Sequence, residues 1–126
     1  MRFLIVDDSA TTRAIIRRTI RLTGVPVDAV LEASNGNEAL ETLARERVDL
    51  VLADLHMPGM DGVELMKNMQ RDQLLTTIPV VIVSADPNIS RIEDLTRNGV
   101  RGHLRKPFTP EALRALIEQT LGVSHA

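Results

Sequence analysis

The chain is expected to fold as an α/β domain, a doubly wound, five-stranded parallel sheet flanked by five helices. Three observations predict this. Short apolar runs alternate with segments of helical period along the whole length, the pattern of the strand and helix units that build a parallel sheet. The runs are nearly continuous in Val, Ile and Leu, as strands buried on both faces require. The 126 residues suit a single domain able to bury most of its apolar side chains around one core.

Taken in order, the strands are expected at about 2–6, 27–33, 49–54, 80–84 and 102–105, with a helix after each. Ser9 is placed to cap the first helix, Asn35 the second with Glu38 three residues on, and Thr109 the fifth with Pro110 at its first position. Each capping side chain accepts from an N–H that has no partner inside the helix, and Pro brings no such N–H at all. Asp61-Gly62 suits a turn or a helix start better than a ligand. Gly99, after Ile92, Leu95 and Thr96, stands where a left-handed residue would stop the fourth helix. Leu113, Leu116, Ile117 and Leu121 form one stripe, so the fifth helix should pack on the sheet.

Composition narrows the function. Apolar residues make up 44% and charged residues 25%, ordinary for a soluble globular protein. The apolar runs are of strand length, far short of the roughly 20 residues that span a bilayer. Only about four apolar residues precede Asp7, too few for a signal peptide, so a cytoplasmic protein without membrane insertion is expected. There is no Cys, which excludes disulfides and thiolate metal sites. A net charge of -2 gives no reason to expect nucleic-acid binding. One domain over residues 1–126, with no output domain, is expected, and no helix is apolar enough to demand a dimer, so a monomer is expected.

The most informative stretch runs from Leu50 to Gly62, where the apolar run Leu50-Val51-Leu52-Ala53 delivers Asp54 into a loop holding Pro58, Gly59 and Gly62. Likewise Phe3-Leu4-Ile5-Val6 leads into Asp7-Asp8, Val80 to Val83 leads into Ser84, and the run from Gly102 to Arg105 leads into Lys106-Pro107. Ligands of open parallel sheets bind beyond the carboxyl ends of the strands, near the point where strand order reverses. Three carboxylates meeting there would repel one another unless a cation compensates, and an oxygen-rich site that leaves room for water and phosphate suits Mg²⁺. Asp54 is then placed as a nucleophile toward phosphorus, with Lys106 and the Ser84 hydroxyl to neutralise charge on the phosphoryl oxygens. Seen singly, Asp7-Asp8 would serve as a helix cap, Ser84 as a loop cap and Lys106 as a solvated side chain. None of those readings explains why all of them end apolar strands.

Asp7-Asp8, the run Asp54 to Gly62, Ser84-Ala85 and Lys106-Pro107-Phe108 closely resemble the CheY-like receiver domains of bacterial response regulators, in the right order and over essentially the whole chain. The resemblance implies the flavodoxin-like strand order 2-1-3-4-5. It implies that Asp54 is the phosphoacceptor and Asp8 a direct ligand of Mg²⁺, for which Mn²⁺ can substitute. Asp7 would act on the metal mainly through water, and the His56 backbone carbonyl would complete the protein ligands. It further implies that Ser84 moves toward the phosphoryl group, that Lys106 pairs with it, and that the Lys106–Pro107 bond is cis.

The chain departs from the family pattern three residues before Lys106. Many receivers carry Tyr or Phe there as a switch residue that swings inward on phosphorylation, and here it is His103, smaller and able to change charge near neutral pH. Arg101, His103 and Arg105 alternate, so a strand projects them to one side. On an edge strand they would form a basic strip beside the fourth and fifth helices, suited to an acidic output partner or to protection of the edge against aggregation. His56 and Asp86, two residues beyond Asp54 and Ser84, occupy positions that tune phosphoryl lifetime in receivers.

The function expected from this resemblance is a phosphorylation-activated switch of a two-component or phosphorelay system. A histidine kinase or His-phosphotransfer protein would donate to Asp54, and the surface of the fourth helix, fifth strand and fifth helix would bind a downstream target. Chemotaxis or motility control is the commonest association of lone receivers of this kind. The protein would not be an enzyme beyond weak self-catalysed phosphorylation and autophosphatase activity. A phosphorelay shuttle and a phosphate-independent adaptor are the alternatives. A haloacid-dehalogenase-type phosphatase is disfavoured, because His56 stands where such enzymes place a second Asp. A nucleotide or flavin module is disfavoured by the absence of a glycine-rich phosphate loop and of Trp and Tyr.

Overall fold

The computed structural model describes residues 1–85 and 99–122. The chain runs through β1 (Arg2–Val6), α1 (Ala10–Leu22), β2 (Ala29–Ala33), α2 (Gly36–Arg45), β3 (Leu50–Asp54), α3 (Gly62–Gln70), β4 (Val80–Ser84), β5 (Gly102–Arg105) and a last helix (Pro110–Leu121). All strand pairs are parallel, and the sheet order is β2-β1-β3-β4-β5, the doubly wound order expected. Four helices are seen among the described residues. The remaining expected helix and Asp86 fall within 86–98, outside the described residues.

Two strands begin later than expected, and the neighbouring residues explain both. β2 starts at Ala29 rather than 27, because β1 begins at Arg2, whose partner is Ala29. β3 starts at Leu50 rather than 49, because the Asp49 side chain takes over the end of the ladder. The Arg2 N–H donates to the Asp49 carboxylate at 2.7 Å, while the Asp49 N–H donates to the Arg2 carbonyl at 2.8 Å.

The helix starts follow the capping signals. Ser9 Oγ accepts from the Thr12 N–H, Asn35 Oδ1 from Glu38 and Thr109 Oγ1 from Ala112, at 3.2, 2.8 and 3.1 Å. Gly99 has φ of +103°; the helix it was expected to stop lies outside the described residues. In the last helix Leu113 and Ile117 are buried, with Leu116 and Leu121 packed at their margin.

Alternation along the strands splits the core into two layers. Phe3, Ile5, Leu50, Leu52, Val81, Val83 and Leu104 face α1 and the last helix, where Ile16, Ile20, Leu113 and Ile117 meet them. Leu4, Val6, Val51, Ala53, Val80 and Ile82 face α2 and α3, where Ala39, Leu43, Leu65, Met66 and Met69 meet them. Burying one Leu, Ile or Phe contributes roughly 1.5–3 kcal/mol, against about 1 kcal/mol for a cap. Side-chain burial therefore sets strand register, and the caps set helix ends.

Candidate functional site

The sheet order reverses between β1 and β3, which leave in opposite directions from the centre, and the side chains just past both strand ends meet there. Asp7 continues the Phe3, Ile5 alternation and Asp54 the Leu50, Leu52 alternation, so both emerge on the α1 side of the sheet. Lys106 follows Leu104 in the same way. The Asp7 N–H extends the ladder to the Ala33 carbonyl at 3.1 Å, and the Lys106 N–H extends it to the Ser84 carbonyl at 2.9 Å. The Lys106–Pro107 peptide is cis.

Carboxylate oxygens of Asp7, Asp8 and Asp54 lie within 4.8 Å of one another. Asp7 is only 2% exposed, and both of its oxygens are engaged. Oδ1 accepts from the Ser9 N–H at 2.8 Å, and Oδ2 accepts from Lys106 Nζ at 3.2 Å. Asp8 is exposed. The Asp54 side chain is 13% exposed, with Oδ1 3.7 Å from Lys106 Nζ and 3.3 Å from the His56 N–H, which donates to it. Burial pushes the Asp54 carboxyl above its ordinary value. Lys106 and the His56 N–H oppose that rise, the negative charges of Asp7 and Asp8 reinforce it, and the net direction is upward. An ionised Asp54 is thus under-compensated by the protein alone. Three hard carboxylates without a sulfur or imidazole donor among them fit a small oxygen-loving divalent cation, Mg²⁺ or Mn²⁺.

The backbone behind Asp54 is pinned by α3. The Gly62 N–H donates to the Leu55 carbonyl at 3.4 Å. A Cβ at residue 62 would lie 2.6 Å from the Asp54 carbonyl oxygen and 2.8 Å from Ile82 Cδ1, so only glycine lets the helix start this close. Asp61 caps α3 by accepting from the Glu64 N–H at 2.9 Å. It serves the helix start, as the Asp-Gly pair implied.

The other residues singled out in the sequence are more dispersed. Ser84 ends β4 and is 1% exposed. His103 is half-buried opposite Ile82, on the α2 and α3 side of the sheet. Arg105 is exposed opposite Ser84. Arg101 lies at the far end of β5, its N–H donating to the Val80 carbonyl at 3.0 Å, away from the carboxylates. His56 is exposed, and Pro107 is exposed beside Lys106.

Sequence reasoning missed Arg13, the Ser9 N–H and Gly62. Arg13 Nη1 donates to the Asp7 carbonyl at 2.5 Å and Nε to Glu32 Oε1 at 3.0 Å. Burial pushes the Glu32 carboxyl up, but hydrogen bonds from Arg17 and Arg13 outweigh it and hold the group below its ordinary value. Arg13 and Arg17 share a helix face at i and i+4, a signal of an anion opposite. That signal becomes readable only once β2 is known to lie beside β1.

Residues 3–118 match the model of the response regulator receiver domain family. The chain belongs to this family. As a receiver it is 37% identical over 123 residues to a chemotaxis protein CheY homolog of Campylobacter jejuni, covering 97% of this chain and 93% of that protein. It is also 37% identical over 119 residues to the chemotaxis protein CheY of Pseudomonas aeruginosa, covering 94% of each. Among solved structures, the receiver is similar to a putative response regulator from Chloroflexus aurantiacus, with TM-score 0.87 and 30% identity over 97% of this chain and 98% of that one. Chemotaxis protein CheY4 of Vibrio cholerae gives TM-score 0.82 and 28% identity over 95% and 98%. Receivers are signalling modules that bind Mg²⁺ at an acidic pocket, and in this one Asp7, Asp8 and Asp54 form an acidic group that could hold a metal ion. No helix among the described residues is long and apolar enough to cross a membrane.

Proposed function

We propose that this receiver stores a signal as an aspartyl phosphate on Asp54, received from a histidine kinase or a His-phosphotransfer protein. The observation that carries the reading is the environment of Asp54. Its carboxylate is partly buried and raised in pKa, 3.7 Å from Lys106 Nζ, with carboxylate oxygens of Asp7 and Asp8 within 4.8 Å. An Asp54 oxygen forms the new P–O bond while the P–N bond of the donor phosphohistidine breaks, and the departing imidazole keeps the electron pair. Asp8 and Asp54, with the His56 carbonyl and with Asp7 acting through water, would hold Mg²⁺, which supplies neutralising charge for the phosphoryl oxygens. Lys106 adds a second positive charge on that side, and its bonds to Asp7 and to the Ser84 carbonyl keep it there.

Ser84 and His103 are the switch residues in this proposal, and His56 and Asp86 tune how long the phosphoryl group survives attack by water. Output runs through β5, the last helix and the fourth helix expected from the sequence, where exposed Arg101 and Arg105 favour an acidic target. The CheY relatives point to chemotaxis as the process, in the cytoplasm and as a monomer. The charge reversals Arg101→Glu and Arg105→Glu should weaken target binding while leaving phosphorylation intact, and an unchanged titration would sink the assignment of that surface.

The acceptor is tested by intact-mass spectrometry of the protein with Mg²⁺ and acetyl phosphate, beside Asp54→Asn. One phosphoryl adduct on the parent and none on the variant is the expected result. An adduct of equal yield on both would overturn Asp54 as acceptor. With no Trp or Tyr in the chain, mass is a more direct readout than intrinsic fluorescence.

A further inference from the structure

We infer that Arg13 is a positioning residue for the carboxylate site, holding the Asp7 carbonyl and so fixing the Asp7–Asp8 peptide from which both carboxylates project. The inference rests on the reading of those carboxylates as the Mg²⁺ and phosphoryl site. β1 ends at Val6, and the Asp7 N–H makes the last ladder bond to β2. The Asp7 carbonyl accepts instead from Arg13 Nη1 at 2.5 Å. With its N–H and its carbonyl both held, Asp7 has its peptide planes defined on either side, although the strand has ended.

Arg13 is itself clamped. Its Nε bonds Glu32 Oε1 at 3.0 Å. The other Glu32 oxygen is occupied by Arg17, at 2.6 Å from Nη2 and 3.0 Å from Nε, and Arg17 Nη2 also reaches the Val30 carbonyl at 2.9 Å. Both contacts of Arg13 lie outside the three carboxylates. It brings positive charge near the cluster without occupying an oxygen that a cation would use, whereas Lys106 contacts the carboxylates directly. A planar guanidinium can hold the carbonyl and the Glu32 carboxylate at once, which a single ammonium does less well. Partners that orient metal ligands typically change metal affinity by about 10–100-fold when removed.

The test is a calorimetric Mg²⁺ titration of the full chain, with the melting temperature of the metal-free protein measured alongside. The variants are Arg13→Met, Arg13→Lys and Arg17→Met. Arg13→Met should weaken Mg²⁺ binding about tenfold, while Arg17→Met, which loses Glu32 and Val30 contacts but none at Asp7, should stay within about twofold of the parent even if it melts lower. If Arg13→Met fails to fold, Arg13→Lys decides, with a severalfold weaker affinity expected. An Mg²⁺ affinity in the folded Arg13 variant equal to that of the parent would overturn the inference. So would an equal loss in Arg17→Met, because the effect would then run through the packing of α1 on β2. Absence of Mg²⁺ binding by the parent would overturn the metal reading itself, and this inference with it.

Discussion

Among the described residues, the sheet face toward α1 and the last helix buries branched and aromatic side chains alone, Phe3, Ile5, Ile16, Ile20, Leu50, Leu52, Leu113 and Ile117 among them, whereas the face toward α2 and α3 mixes Leu4, Val6, Leu65 and Ile82 with Ala33, Ala39, Ala53, Met57, Met66 and Met69. Branched and aromatic side chains hold defined rotamers, while Met is unbranched and fills irregular space adaptably. Asp7, Asp54 and Lys106 follow the alternation of the first face, and Ser84 and His103 that of the second. The charges that would receive a phosphoryl group are therefore seated on the layer that holds no buried methionine among the described residues. The hydroxyl and imidazole proposed to respond to it border the layer that contains Met57, Met66 and Met69. A switch requires a fixed input geometry beside a region that can take alternative packings.

The largest test of this contrast is a matched pair of core truncations followed by urea unfolding. Leu52→Ala and Leu65→Ala, at fully buried positions on the two faces, should each cost about 2–5 kcal/mol through a cavity, with the smaller loss at Leu65, where the methionines of that cluster can refill the space. Equal losses would erase the distinction between the faces. Next comes Gly62→Ala, whose added carbon meets the Asp54 carbonyl at 2.6 Å. It should lose about 1–3 kcal/mol and slow phosphorylation from acetyl phosphate, and a normal rate would show that the backbone of Asp54 need not be pinned. Asp61→Ala, one residue away, should lose only about 1 kcal/mol as an N-cap and keep its phosphorylation rate. A collapse of that rate would make Asp61 part of the site.

The smallest predicted effect has the opposite sign. Because the folded environment raises the Asp54 carboxyl, the ionised group costs stability above its folded pKa, and the cost disappears once the carboxyl is protonated in both states. Asp54→Asn should melt above the parent near neutral pH without Mg²⁺. That gain should shrink as pH falls through the raised folded value toward the ordinary 3.8. A variant that melts below the parent at neutral pH would contradict the account of an under-compensated carboxylate.

Much of this arrangement was legible in the sequence, for a definable reason. Apolar runs ending in Asp7, Asp54 and Ser84 state both the strands and where they stop, and period-2 alternation states the face. Ser9, Asn35, Asp61 and Thr109 announce helix starts because capping is local. Arg13 was not legible, since its acceptor at Asp7 is a backbone carbonyl, which every residue possesses. Gly62 read as a turn residue, and its closeness to the Asp54 carbonyl emerges only when α3 docks on β3. The late start of β3 depends on Asp49 finding the Arg2 N–H 47 positions away in sequence, a pairing no local pattern encodes.

The central claim, that the carboxylate ending β3 is the acceptor, is tested most directly by finding where the phosphoryl group resides. The protein is phosphorylated with acetyl phosphate and Mg²⁺ and reduced with borohydride, which converts an acyl phosphate to an alcohol, and the modified residue is located by peptide sequencing in a mass spectrometer. Modification at Asp54 alone is the predicted result. Modification at Asp7, Asp8 or Asp61 with Asp54 intact would contradict the account.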